Sequence, residues 1–236
     1  MCIRDSQKLD DAQALFEKSI EQSPELPTGH YYLGITSEKK DDPARAIASY
    51  QKALELKPDY AQVHSRLGLL YWRQGDQTHA LEEFHQAVMS DPDLAEGHYD
   101  FGLALSQVGR LPEAIDELNK AITLDPKYTD ARVQLGLVLS QSNDMDGAIR
   151  VFRELVRRKP AFAEAHNNLG LVLLQTRRNT EAQAQFKEAI HLKPSYAAAH
   201  YNLALALHDE GKEAESRAEF EKAYEIAPDL RQAPHP

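Results

Sequence analysis

The strings LKPDYA (56–61), SDPDLA (90–95), LDPKYT (124–129), RKPAFA (158–163) and LKPSYA (192–197) set proline at 58, 92, 126, 160 and 194, in steps of 34 residues. Pro24 and Pro228 extend the register, and Leu-Gly or Phe-Gly pairs beginning at 33, 67, 101, 135 and 169 run in phase with it. Self-similarity at such a period marks a chain of stacked supersecondary units. Counted this way, full units span 27–60, 61–94, 95–128, 129–162, 163–196 and 197–230, after a half unit at 7–26 and before a tail at 231–236. The opening MCIRDS (1–6) fits no unit position and is expected to be a foreign or disordered start on a truncated fragment.

Inside a unit the apolar residues fall at helical spacing in two runs, for example Leu67, Leu70 and Tyr71, then Ala80, Leu81, Phe84, Ala87 and Val88. Between the runs stand Gly75, Gly109 and Gly211, or Asn143 and Asp41, residue types that tolerate left-handed backbone and so permit a tight reversal. The spacing predicts pairs of antiparallel helices. Proline at unit position 32 ends the second helix and sets the turn into the next unit. No unit can bury both apolar faces alone, so neighbours must stack. In the last unit the usually apolar position 21 becomes Arg217, and Glu213, Glu215, Glu219 and Glu221 crowd the final run, as a solvated terminal unit requires.

Leucine at position 7, glycine at 8, alanine at 20 and 27, an aromatic at 24 and proline at 32 closely resemble the tetratricopeptide repeat pattern over nearly the whole chain. Ala204, Ser216, Leu155 and Leu118 depart from it locally. The resemblance implies an all-α, right-handed superhelical α-solenoid of six full repeats plus an N-terminal half repeat. It further implies a concave groove lined by first-helix positions 2, 5, 6, 9, 12 and 13.

Composition excludes several functions. The formal net charge is −10, with 27 Lys and Arg against 37 Asp and Glu, which opposes binding to nucleic acid or to anionic membrane surfaces. No apolar run reaches the length of a membrane span. Residues 1–20 lack the hydrophobic core of a secretory leader, and with the start read as truncated this assigns no compartment. The single cysteine, Cys2, forms no internal disulfide and is expected to be inert.

Histidines recur at position 4, as His30, His64, His98, His166 and His200, with Arg132 interrupting. One unit apart they are separated by roughly a helix diameter, too far for zinc ligands that converge to about 2 Å, so they are read as packing residues and no metal or other cofactor is expected. No nucleophile with a base, phosphate loop or paired carboxylate in an apolar setting stands out, so the chain is read as a non-enzyme.

What remains is the groove column. Position 6 carries Tyr32, Arg66, Asp100, Gln134, Asn168 and Asn202, and position 5 carries Tyr31, Tyr99, Asn167 and Tyr201. Amides donate and accept at once, and tyrosines give large contact area at low entropic cost, which suits an extended or helical peptide. The strings HNNLG (166–170) and HYNLA (200–204) resemble the asparagine ladder of O-GlcNAc transferase superhelices. Glu96, Asp130 and Glu164 at position 2, joined by Asp100, make the middle acidic and favour a basic segment. Family members that clamp the acidic tails of cytosolic chaperones use basic groove residues, which positions 5 and 9 lack here. The expected function is a protein-interaction scaffold or adaptor. The alternative is the substrate-recruiting arm of a larger enzyme, such as a glycosyltransferase, or of an envelope-assembly protein. Self-association through the uncapped half unit is a further expectation.

Overall fold

The computed structural model describes residues 3–232, with side chains from Lys8 to Arg231. Cys2 and the end of the tail lie outside the described residues. Among the described residues there are thirteen α-helices and no strand: α1 (Ile3–Gln22), α2 (Pro27–Lys39), α3 (Pro43–Leu56), α4 (Ala61–Arg73), α5 (Gln77–Ser90), α6 (Ala95–Gln107), α7 (Leu111–Leu124), α8 (Thr129–Gln141), α9 (Met145–Arg158), α10 (Ala163–Gln175), α11 (Asn179–Leu192), α12 (Ala197–His208) and α13 (Glu213–Ile226). A 3-10 turn follows at Pro228–Gln232. Helix α1 already begins at Ile3, within the stretch that fits no sequence unit.

The helices belong to two compact units. One holds the residues up to Val108 together with Thr123–Asp125; the other holds Gly109–Ile122 and the residues from Pro126. In the first unit α2 packs on α3 and α4 on α5, while α1, α3 and α5 each pack on the helix that follows, and α4 also touches α6. In the second, α8 packs on α9, α10 on α11 and α12 on α13, and α10 touches both α8 and α12.

Helix ends follow local chemistry. The second helices α3, α5, α9 and α11 stop two residues before Pro58, Pro92, Pro160 and Pro194, as the steric demand of proline on its predecessor requires. Asp42, Asp76 and Asp144 cap α3, α5 and α9 by accepting from the backbone N–H of Arg45, His79 and Gly147. The reversals use left-handed residues: Gly75, Gly109 and Gly211, then Asp41, Asn143 and, unforeseen from its residue type, Arg177 at φ 58°. A side chain there costs about 1–2 kcal/mol, partly offset by the entropy glycine would add to the unfolded chain. Arg177→Gly is therefore expected to stabilise the protein by about 0.5–1 kcal/mol, raising Tm by a few degrees in a thermal melt. An unchanged or lowered Tm would refute this.

The core follows a small-against-large rule. Ala46, Ala80, Ala148 and Ala182 are fully buried, beside the buried rings of Tyr50, Phe84, Phe152 and Phe186. Each ring lies over a glycine of its partner helix: a Cβ at Gly68, Gly136 or Gly170 would stand 2.7, 2.5 or 2.5 Å from the ring, and one at Gly34 would collide with Tyr50. One departure from the pattern has a local reason. Buried Ser216 satisfies its hydroxyl by donating to the Ala204 carbonyl at 2.8 Å. Phe220, on the last α-helix, is half-buried, edge-on to Tyr201 at 5.2 Å and stacked on Tyr224 at 6.0 Å.

Candidate functional site

Four of the five column histidines are held by the fold. The Nε2 atoms of His64, His98, His166 and His200 lie 2.9–3.1 Å from the carbonyls of Pro58, Pro92, Pro160 and Pro194, in the turn that precedes each first helix. In three of them the other nitrogen reaches across the pair: Nδ1 of His64 to Glu83 Oε2 at 2.6 Å, of His166 to Gln185 Oε1 at 2.8 Å, and of His200 to Glu219 Oε2 at 2.6 Å. The rings of His64, His166 and His200 thus tie the turn before each pair to its second helix. Burial works against a charge on His64, but the Glu83 carboxylate and the Pro58 carbonyl outweigh it and raise its pKa. Among the described residues no three His, Cys, Asp or Glu side chains cluster to hold a metal ion, and no helix is long and apolar enough to cross a membrane.

In the first unit the predicted groove residues divide by environment. Tyr32 is exposed and stacks on Phe16 of α1, rings 5.4 Å apart, so it docks the N-terminal helix as well as facing solvent. Tyr31 is half-buried in an aromatic cluster with Tyr32, Tyr50 and Tyr60. Burial, and next the carboxylate of Glu38 that accepts a hydrogen bond from its hydroxyl, drive the Tyr50 pKa upward. Glu38 also draws Arg66 and Arg73 to 3.9 and 3.7 Å. Tyr99, Asp100 and Glu96 lie along α6, the first two half-buried and Glu96 exposed.

Asp100 is the unusual group. Burial first, and then the charge of Glu96, push its pKa from 3.8 up to about 7, with Arg66 acting in the opposite direction. No hydrogen bond or close ion pair reaches its carboxylate among the described residues. It borders a cavity of about 110 Å³ lined by Tyr31, Gln62, Ser65, Arg66, Leu69, Leu94 and Glu96. A second cavity of about 90 Å³ adjoins it, bounded by Leu69, Trp72, Phe84 and Leu103.

In the second unit Asp130 is exposed, and Glu164 lies 3.6 Å from Lys193. Asn167 and Asn202, 4 % and 8 % exposed, hydrogen-bond each other, Asn202 Nδ2 donating to Asn167 Oδ1 at 2.9 Å. Two of the three asparagines of the pattern are thus turned inward, an inter-helix clamp. Gln134, Asn168 and Tyr201 are half-buried at the first-helix surface. Sequence reasoning did not single out Gln62, Ser65 and Glu38. Gln62 shares position 2 with the acidic column. Ser65 has a readable signal: it is the small residue at position 5 between Tyr31 and Tyr99, and a missing ring leaves space.

Comparisons with known proteins agree with this geometry. A family model described as TPR repeat matches residues 44–75 and 107–143, one described as Tetratricopeptide repeat matches 133–182 and 172–230, and another of that description matches 61–94. Among curated proteins none matches the sequence. Among solved structures, YrrB, described as a TPR protein with an unusual peptide-binding site, superposes with TM-score 0.70 at 24% identity over 83% of this chain and 97% of its own. PilF of Pseudomonas aeruginosa gives TM-score 0.70 at 20% identity over 86% and 92%, and a MamA protein 0.63 at 23% over 75% and 98%. At these identities the likenesses speak for the fold. With family models spread across residues 44–94 and 107–230 and helix pairs packed small against large, the chain belongs to the tetratricopeptide repeat family.

Proposed function

We propose that this protein is a non-catalytic interaction scaffold that holds an extended or helical segment of a partner protein against its first-helix faces, a basic segment being favoured. The observation that carries this reading is the state of position 6. Gln134 and Asn168 are half-buried amides that receive no hydrogen bond from the described residues, while the histidines, small residues and aromatics around them are used by the fold. A half-buried amide facing outward offers a donor and an acceptor at the spacing of a peptide backbone. The peptide-binding site ascribed to YrrB supports the same use of the fold. Tyr31, Tyr32, Arg66, Glu96, Tyr99 and Asp100 in the first compact unit, and Asp130, Glu164 and Tyr201 in the second, are the further contact residues of this reading, and Asn167 with Asn202 holds the surface of the second in place.

A peptide array probed with the full chain and with a Gln134→Ala/Asn168→Ala variant tests this. Each lost hydrogen bond is worth about 1 kcal/mol, so the double variant should bind captured peptides tenfold or more weakly with unchanged helicity. Equal capture by both would overturn the assignment of the face.

A further inference from the structure

The cavity beside Asp100 has two properties that the fold does not use. Ser65 is only 8 % exposed, lines the cavity, and its Oγ has no hydrogen-bond partner. A buried hydroxyl left unpaired carries an unrecovered desolvation cost, and native structures rarely leave one without a reason. Among the described residues the Asp100 carboxylate beside it is likewise unpaired, and the cation near it, Arg66, is turned toward Glu38. The remaining walls combine polar Gln62, Tyr31 and Glu96 with the apolar side chains of Leu69 and Leu94.

This combination suits one chemistry. Two carboxyl groups, a hydroxyl and an amide accept hydrogen bonds from a cation, while two leucines cover methylenes. The pairing of Glu96 with Asp100 disfavours an anion at Arg66, and the absence, among the described residues, of a third ligating carboxylate or imidazole disfavours a metal ion. A volume of about 110 Å³ has room for several waters or for a cationic head with its last methylenes. We propose that Tyr31, Gln62, Ser65, Glu96 and Asp100 form a pocket that takes a single cationic side chain, a lysine or an arginine, from the partner segment. The pocket rests on the peptide-scaffold reading and names the side chain that reads register in the first unit. It exists because unit position 5, tyrosine at 31 and 99, is serine at 65.

Its pH behaviour has a fixed sign. The charged groups facing Asp100 are Glu96 on its own helix and Arg66 on α4, with Tyr31 of α2 the other titratable group at the cavity. Raising pH through the Asp100 midpoint near 7 creates the carboxylate that a cation needs, so the pocket fills better at pH 8 than at pH 6. The ionised fraction changes about tenfold across that interval.

The test is an NMR titration of the full chain with three probes: N-acetyl-lysine methylamide, N-acetyl-arginine methylamide and the Nε-acetylated lysine analogue. Saturable shifts at residues 62–69 and 94–100 are expected from one or both cationic probes and not from the acetylated one. Binding should be about tenfold tighter at pH 8 than at pH 6. Ser65→Tyr, which restores the residue of the neighbouring units and fills the cavity, should abolish the shifts, and Asp100→Asn should weaken binding at least tenfold and remove its pH dependence. An absence of saturable shifts at pH 8, or an equal response to the acetylated probe, would overturn the pocket. The groove reading fails separately: if no array peptide depends on Gln134 and Asn168, it falls even where the cationic probes bind.

Discussion

Gly136→Ala is expected to destabilise this protein by about 2 kcal/mol, although alanine is the better helix former. Propensity alone would favour the variant by about 1 kcal/mol. Against that, the new methyl would stand 2.5 Å from Phe152 Cζ, and Phe152 is fully buried, so the ring must leave its rotamer or the helices must part. Overpacking of this kind costs about 1–3 kcal/mol, occasionally more. Phe152→Ala, the opposite error, empties the same space and should cost about 3–5 kcal/mol. The double variant Gly136→Ala/Phe152→Leu should recover much of the loss, because leucine gives up the ring edge that the methyl meets. In the last unit Ala204 stands where the other units have glycine, and Phe220 at position 24 is half-buried. Additive effects in a denaturant-melt double-mutant cycle would show that the two positions do not share this space.

That coupling explains why the fold was legible in the sequence. Glycine at 8, alanine at 20 and an aromatic at 24 recur because each choice constrains the others through contact, and the first helices do begin at Pro27, Ala61, Ala95, Thr129, Ala163 and Ala197. Exceptions were less legible. Arg177 adopts a left-handed conformation that its residue type disfavours, since the reversal is imposed by the two packed helices rather than by the residue. The site was legible as a set of positions, not as an environment. Asn167, Asn168 and Asn202 look alike in sequence, yet Asn167 and Asn202 bond each other while Asn168 stays at the surface. Which way an amide turns depends on the neighbouring helix, which no single unit encodes. Asp100 is similar: its acidity is set by burial and by Glu96, a property of the assembled helix faces.

The histidine column yields the second large effect, and there the sequence reading of packing was incomplete. Both ring nitrogens of His64 face acceptors, a carbonyl and a carboxylate, and both bonds can form only on the imidazolium. Its folded pKa is raised, so the stabilisation is fully present below its unfolded pKa near 6.5 and is lost as pH rises through the folded value. His64→Leu should therefore cost about 2 kcal/mol at pH 6, by removing a charge-assisted pair and leaving the Glu83 carboxylate and Pro58 carbonyl unmatched, and should cost less at pH 9. Glu83→Gln separates charge from shape. It reproduces the arrangement of His166 with Gln185, where an amide oxygen meets Nδ1 at 2.8 Å. A neutral imidazole can then donate one bond and accept the other kind from a turned amide, so the variant should keep most of its stability at pH 8 while losing the His64 contribution to the pH slope. Thermal melts of the parent, His64→Leu and Glu83→Gln from pH 5.5 to 9 decide the matter. Parallel curves for all three would mean that His64 acts by shape alone; a slope flattened equally by both substitutions would locate the proton in the His64–Glu83 pair.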